Sequence, residues 1–190
     1  MEEKRASSEE LHRDIVAQLP HLRAFALMLA RDRTLANDLV QDAVVRALSH
    51  ADQFQPGTNF KAWISTILRN SYFNEMRRRS RTAQVDVETV WNVMTVSGGQ
   101  EENLHMRDFE RAFRSLPPSQ REALALVGAS GFSYEEAAKV SGCAIGTMKS
   151  RVSRARTQLQ QMLDGATAST VAAPRSRDRQ DDFAGDARRS

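Results

Sequence analysis

The chain has 190 residues, of which 41% are apolar and only 6% aromatic, so we expect small packed cores, and its net charge is +3. It has no apolar run near the ~18 residues that span a bilayer, and its polar start shows no signal peptide, so we expect a cytoplasmic protein outside the membrane. The single cysteine, Cys143, excludes an internal disulfide and a CxxC metal site. Scattered histidines and the lack of a Walker-type loop argue against an enzyme. We expect no catalytic residue, cofactor, metal or small-molecule substrate.

Residues 9–81 show helical spacing of apolar residues throughout. Pro20 predicts a break between two helices or the first turn of the second. Thr34 is the predicted N-cap of the next helix, and the turn-forming residues 56–59 precede a long helix. The predicted inward-facing residues are Leu11, Ile15, Leu19, Leu22, Phe25, Ala26, Leu29, Leu35, Leu39, Ala43, Val44, Ala47, Leu48, Phe60, Trp63, Ile64, Ile67 and Leu68.

The helical pattern weakens between residues 82 and 103, where every charge is acidic and two glycines lie together, which predicts a flexible linker. Helical spacing returns over 104–164, with a predicted loop at 128–131. Residues 165–190 are rich in Ala, Arg, Asp and Ser, a composition typical of disorder. With almost no strand signal, the sequence predicts an all-α protein of two small domains.

A helix-turn-helix pattern begins at Ser133, whose spacing to Glu136 fits a capping box. The next residues of the motif are Ala138, Gly142 and Met148. At this spacing a small residue lets the two helices cross closely, a glycine permits the left-handed turn, and an apolar residue packs the second helix on the first. The predicted inner stripe of the second helix is Ile145, Met148, Val152, Ala155 and Leu159, with Cys143 as a small packed residue. Its outer face would enter a major groove with Thr147, Lys149, Ser150, Arg151, Arg154 and Arg156. The alternative is a solvated cationic helix face.

Residues 61–81 carry six basic side chains against one acid, Glu75, interleaved with Trp63, Tyr72 and Phe73. Arginines beside aromatic rings suit unstacked nucleic-acid bases, although Trp63 itself fits a core position better. The arginines could also be a solvated helix end. A separate outer strip on the preceding helix mixes acidic and apolar residues. Periodicity does not decide whether that strip is plain surface or a protein-docking face; its residues are Asp38, Gln41, Asp42, Val45 and Ser49.

Several stretches together resemble the extracytoplasmic-function sigma factors, in the family's order over about residues 10–163. They are NDLVQDA at 37–43, NFKAWI at 59–64, ILRN at 67–70, LPPSQREA at 116–123, GFSYEEAA at 131–138, GTMKSR at 146–151 and RAR at 154–156. PGTN at 56–59 and VGASGF at 127–132 are similar to the general-stress-response subgroup. Members of that subgroup are held inactive by a small helical anti-sigma protein.

The resemblance implies an alternative sigma factor that binds core RNA polymerase and directs it to promoter DNA. Residues 9–81 would be sigma region 2, and residues 104–164 would be sigma region 4. The polymerase would be bound by Asp38, Gln41, Asp42 and Arg46. The −10-type element would be bound by Asn70, Asn74, Arg77, Arg78, Arg79 and Arg81. The −35-type element would be bound by the outer face of the helix-turn-helix.

The main alternative is a helix-turn-helix regulator that binds DNA as a dimer without being a polymerase subunit. That reading explains residues 118–163 but leaves the first domain without a role. A palindromic target would favour it, whereas a requirement for polymerase would exclude it.

Overall fold

The computed structural model of the chain describes residues 2–82 and 100–171. These ranges contain helices and turns but no strand, which confirms the all-α prediction. The first range forms α1 (Glu2–Ala30), α2 (Arg33–Ser49), a short 3-10 turn (Ala51–Gln53) and α3 (Phe60–Thr82). The second forms α4 (Gln100–Ser115), α5 (Pro118–Leu124), a π-helical turn (Ala125–Ala129), α6 (Tyr134–Ser141) and α7 (Ile145–Val171).

The ends of α4 and α7 differ from the prediction. α4 begins at Gln100, inside the segment predicted as a linker, and α7 continues to Val171, past the predicted start of the tail. The rest of the predicted linker and tail lies outside the described residues.

The first domain packs α1, α2 and α3 around one apolar core. α1 passes through Pro20 without a break, so the predicted interruption there is wrong. A proline removes one helical hydrogen bond, but Pro20 is exposed while Ile15 and Leu22 on either side of it are buried in the same core. Packing of the flanking turns therefore holds the helix together across the proline.

The inner faces of α2 and α3 are narrower than predicted. Leu48 is 39% exposed, and Val44 is half-buried at the edge of the core. Trp63 is also half-buried, with its ring centroid 5.2 Å from that of Phe54 and 5.6 Å from that of Phe60. Trp63 thus closes the rim of the core rather than filling its centre.

The second domain is built around α7, which contacts α4, α5 and α6. Where α4 meets α7, the buried residues are Ala112, Phe113, Leu116, Ala155 and Leu159. The predicted loop at 128–131 is partly helical, because the Ser130 amide donates to the Ala125 carbonyl at 2.9 Å and closes a π-helical turn. Ile145 was predicted to face inward, but it is 42% exposed, since it is the first residue of α7 and lies at the open side of the turn.

The two domains lie directly against each other. α3 packs on α6, and α1 packs on α5 and the π-helical turn. A single cluster of buried apolar residues extends from Leu22 of the first domain to Leu126 and Phe132 of the second. We call this arrangement the closed state of the chain.

Candidate nucleic-acid and protein interfaces

The basic face predicted on α7 is present on the outside of the second domain. Thr147, Lys149, Arg154 and Arg156 are exposed, while Ser150 and Arg151 are half-buried at the edges of the same face. Met148 and Val152 point into the core between them. The structure therefore brings the six predicted side chains onto one helix with a buried opposite side, which is the geometry that a recognition helix needs.

Local hydrogen bonds position this helix. Ser133 caps α6, with its hydroxyl accepting from the Glu136 amide at 3.1 Å and its own amide donating to Glu136 Oε2 at 2.9 Å, so the capping box is confirmed. Gly142 ends α6 with a left-handed φ of +61°, as the turn pattern predicts. Cys143 is half-buried and packs against the core as a small residue. The two ends of α6 are thus fixed by Ser133 and Gly142, the residues predicted from the sequence to cap it.

The arginines near the end of α3 are exposed, together with Asn70 and Asn74. Arg78 and Arg79 both donate to Glu75, whose pKa falls to about 2 because of the hydrogen bonds from Arg78 and then from Arg79. Arg77 and Arg81 instead turn back towards backbone carbonyls of their own helix, at 3.4 and 3.2 Å. All six residues predicted to bind the −10-type element therefore lie on this part of α3, and Arg78 and Arg79 share the carboxylate of Glu75.

Two other cations of the same basic run face the second domain. Arg69 pairs with Glu122 of α5 and also lies 4.7 Å from the Phe73 ring centroid. Lys61 donates to the Ser130 carbonyl, and its ammonium lies 4.8 Å from the ring centroid of Phe132. Lys61 and Arg69 were counted with the nucleic-acid cluster from sequence, but in the closed state both are occupied by the chain itself.

The partners of these cations belong to a polar network between the domains. Glu122 is only 1% exposed and also accepts from the Ser141 hydroxyl at 2.8 Å. Its neighbour Arg121 is 2% exposed and donates to the Leu116 carbonyl at 3.1 Å and to the Tyr72 hydroxyl at 3.3 Å. Sequence reasoning missed this network. Its only signal was an adjacent Arg–Glu pair in a short helix that has no other charged residue.

Glu136 links the capping box to the first domain. Its Oε1 accepts from Asn59 Nδ2 at 2.7 Å, across the interface. The pKa of Glu136 is lowered, mainly by the hydrogen bond from the Ser133 backbone and further by the one from Asn59. The carboxylate is therefore held in its charged form at the start of α6, where the helix dipole favours it.

His21 lies at the same interface. Its Nε2 is 3.0 Å from the Ser65 hydroxyl, and its ring stacks on Phe25 and meets the edge of Phe132 at 5.9 Å. Burial, and then the charge of Lys61, lower the pKa of His21 to about 4. The imidazole is neutral at pH 7 and packs as a ring in an apolar setting.

The predicted docking strip runs along the outside of α2. Asp38, Gln41 and Arg46 are exposed, and Val45, beside them, is 60% exposed. Asp42 differs, because it is half-buried and accepts hydrogen bonds from Arg46 Nε at 2.7 Å and from the Ser71 hydroxyl of α3. Asp42 therefore links the strip to α3, the helix whose residues are predicted to bind the −10-type element.

The described residues hold no cluster of three or more side chains suited to a metal ion. Among the same residues, the helices are too short or too polar to cross a membrane.

Two family models match the chain. Residues 15–82 match Sigma-70 region 2, and residues 106–159 match Sigma-70 region 4. The chain is 47% identical over 161 residues, 84% of its length and 89% of the relative's, to the ECF RNA polymerase sigma factor EcfG of Rhodopseudomonas palustris.

Two solved structures are similar to this one. The sigma factor RpoE of Bartonella quintana, in complex with the anti-sigma factor NepR, is 45% identical, with a TM-score of 0.73 over 82% of this chain and 98% of that chain. CnrH in complex with the cytosolic domain of CnrY is 26% identical, with a TM-score of 0.55 over 85% of this chain and 90% of that chain.

Proposed function

The chain belongs to the extracytoplasmic-function sigma factors, the initiation factors that direct RNA polymerase to promoters, and we propose on that basis which surfaces carry its activity. The strip on α2 (Asp38, Gln41, Asp42 and Arg46) docks on core polymerase. The end of α3 binds the −10-type element, and the outer face of α7 binds the −35-type element. A single observation carries this assignment: two separate domains each expose a basic helix. A dimeric regulator needs only one such helix per chain.

Transcription with purified components tests the proposal. The chain and core polymerase together should give transcripts from specific promoters, and neither should do so alone. Tight binding of the free chain to a palindromic duplex, with no promoter-specific transcript when polymerase is added, would support the dimeric regulator instead.

Charge reversal on the docking strip tests the polymerase contact. Asp38→Lys should weaken holoenzyme assembly without loss of stability, because Asp38 is exposed and lies on the outer strip. Asp42 is the poorer target, since it also bonds to Ser71 and Arg46. Glu10→Lys, at an exposed acid of α1, is the charge-matched control. Holoenzyme assembly at wild-type affinity by Asp38→Lys would remove this residue from the docking surface.

Regulation by a small helical anti-sigma protein follows from the relatives. The similarity to EcfG supports a role in the general stress response. The similarity to RpoE, which was solved in complex with the anti-sigma factor NepR, covers 82% of this chain, more than either domain alone. We propose that an anti-sigma protein binds the closed state. NepR of Bartonella quintana should therefore bind the full chain and block holoenzyme assembly in a titration, and assembly that is insensitive to NepR would contradict this.

A further inference from the structure

The imidazole of His21 lies between the two domains. It belongs to α1, its Nε2 lies 3.0 Å from the hydroxyl of Ser65 on α3, and its ring stacks on Phe25 of its own helix. The remaining contact comes from the second domain, because the ring meets the edge of Phe132 at 5.9 Å. Phe132 is only 5% exposed, so it covers the imidazole on that side. The second domain thus supplies one wall of the site in which a titratable ring lies.

The charges around this site favour a neutral ring. The ammonium of Lys61 lies 4.8 Å from the ring centroid of Phe132, the residue that His21 also contacts. Glu136 of the second domain is bonded to Asn59, and no acid within residues 2–82 and 100–171 forms an ion pair with His21. Burial and then Lys61 both lower the pKa of His21. A proton on the ring would therefore add a second positive charge beside Lys61 without a counter-charge.

The other elements packed on α1 supply no such counter-charge. The π-helical turn has no charged side chain. On α5, Glu122 pairs with Arg69, and Arg121 donates to the hydroxyl of Tyr72. The docking strip of α2 carries its charges on the outside of that helix. Lys61 is thus the charge that acts on the imidazole, and it opposes protonation.

Separation of the domains changes the surroundings of the ring. It removes Phe132 from the imidazole and frees the Lys61 ammonium from the Ser130 carbonyl, so both cationic groups regain water. The pKa of His21 then returns from about 4 towards the ordinary 6.5. A ligand shifts a population towards the state that binds it more tightly, and here the ligand is a proton. Acid therefore favours separation of the domains.

From this geometry we propose that the closed state is proton-sensitive: the two domains close on a neutral His21, and protonation of this ring separates them. With pKa values of 6.5 in the open state and about 4 in the closed state, the ratio of open to closed chains follows from linkage. It should rise about fourfold from pH ~7.5 to pH ~6.0, and about tenfold to pH ~5.5. The inference goes beyond the proposed function and does not rest on it, because it concerns the free chain.

The ratio is measured on the full chain by a pair of probes. Labels attached at Glu10→Cys and Gln160→Cys, both exposed positions, with Cys143→Ser, report the distance between the domains in single molecules. The population at long distance, relative to that at short distance, should be about tenfold larger at pH ~5.5 than at pH ~7.5. Circular dichroism at both pH values checks that the helices remain folded.

Two histidine variants show which ring binds the proton. His21→Gln keeps a polar group beside Ser65 but does not titrate, so its ratio should be the same at both pH values. His50→Gln, at an exposed histidine, is the matched control and should respond as the labelled parent chain does. A ratio in His21→Gln that still rises with acid would overturn the proposal, as would an unchanged ratio in the parent chain.

A second measurement keeps the test independent of how well His21→Gln folds. In an NMR titration of the wild-type chain, the imidazole of His21, identified by its proximity to Phe132, should bind its proton at lower pH than that of His50. Protonation of both rings at the same pH would show that closure does not exclude the proton from His21, and the proposal would then be wrong.

Discussion

Two glycines at the helix-turn-helix have opposite backbone requirements. Gly142 has a φ of +61°, whereas Gly146 lies within α7, and an added Cβ would meet no atom within 4 Å at either position. Gly142→Ala should therefore destabilise the chain by ~1–2 kcal/mol through backbone strain alone. Gly146→Ala should stabilise it by ~0.4–1 kcal/mol, by restricting the unfolded chain. Urea unfolding of both variants measures the contrast, and equal effects would show that the left-handed turn is not required.

The buried ring of His21 makes stability depend on pH. Its pKa is about 4 in the folded chain, below the ordinary 6.5, so the unfolded chain binds the extra proton between these values. The contribution of neutral His21 to the free energy of unfolding is complete above pH ~6.5 and is lost as the pH falls towards 4. Unfolding free energies at several pH values should show that His21→Gln removes this slope, while His50→Gln, at an exposed histidine, keeps it. An unchanged slope in His21→Gln would contradict the assignment.

Individual residues were predictable where the signal is local. The Ser133 cap and the Gly142 turn depend on neighbours within a few positions, so their spacing was sufficient. Ile145 and Leu48 were misplaced because a helical stripe shows which side faces inward but not how far the facing helix extends. The pairing of Arg69 with Glu122 was not predicted, because the two residues are 53 positions apart in the chain.

Helix ends are set by competition between nearby candidates. The sequence favoured Thr34 as the cap of α2, but Asp32 takes that position in the structure, with its carboxylate accepting from the Leu35 amide at 2.7 Å. Asp, Ser and Thr are all good caps, so composition alone could not choose between two candidates two residues apart. At the π-helical turn, Gly128 and Gly131 suggested a loop, but burial of Leu126 and Phe132 extends the helix to Ala129.

The cap of α2 can be tested by truncating each candidate. Asp32→Ala should lower the free energy of unfolding by ~1 kcal/mol, because it leaves the Leu35 amide without its acceptor. Thr34→Ala is the matched control and should change stability by less than ~0.5 kcal/mol, since Thr34 is exposed within the first turn. Thermal unfolding of both variants provides the comparison. A larger loss from Thr34→Ala than from Asp32→Ala would restore the original assignment.

At the scale of the whole molecule, the sequence predicted two helical domains but not their contact. The polar pairs between the domains join residues far apart in the chain, such as Asn59 with Glu136 and Lys61 with Ser130. Neither periodicity nor spacing encodes such pairings. The family resemblance supplied the function of each domain, whereas the occupied cations on α3 became visible only when both domains were placed together.

Opening of the interface should be visible in hydrogen exchange. The π-helical turn over Ala125–Ala129 is short and depends on packing against α1, so its amides should be protected in the free chain. Addition of core polymerase and promoter DNA should speed exchange across this turn, while the centre of α7, around the buried Val152, should stay protected. Mass spectrometry of peptic fragments measures both regions in one experiment. Unchanged exchange at the turn would show that the domains stay in contact during initiation.

The bond from Ser71 to Asp42 restricts how parts of this protein can be recombined. The carboxylate belongs to the strip of α2 that we propose docks on polymerase, and the hydroxyl belongs to α3, next to Asn70. A chimera that joins α2 of one sigma factor to α3 of another would separate these two partners. Grafts intended to give a new promoter preference should therefore exchange Arg33–Thr82 as one cassette, with the upstream junction in the turn between α1 and α2.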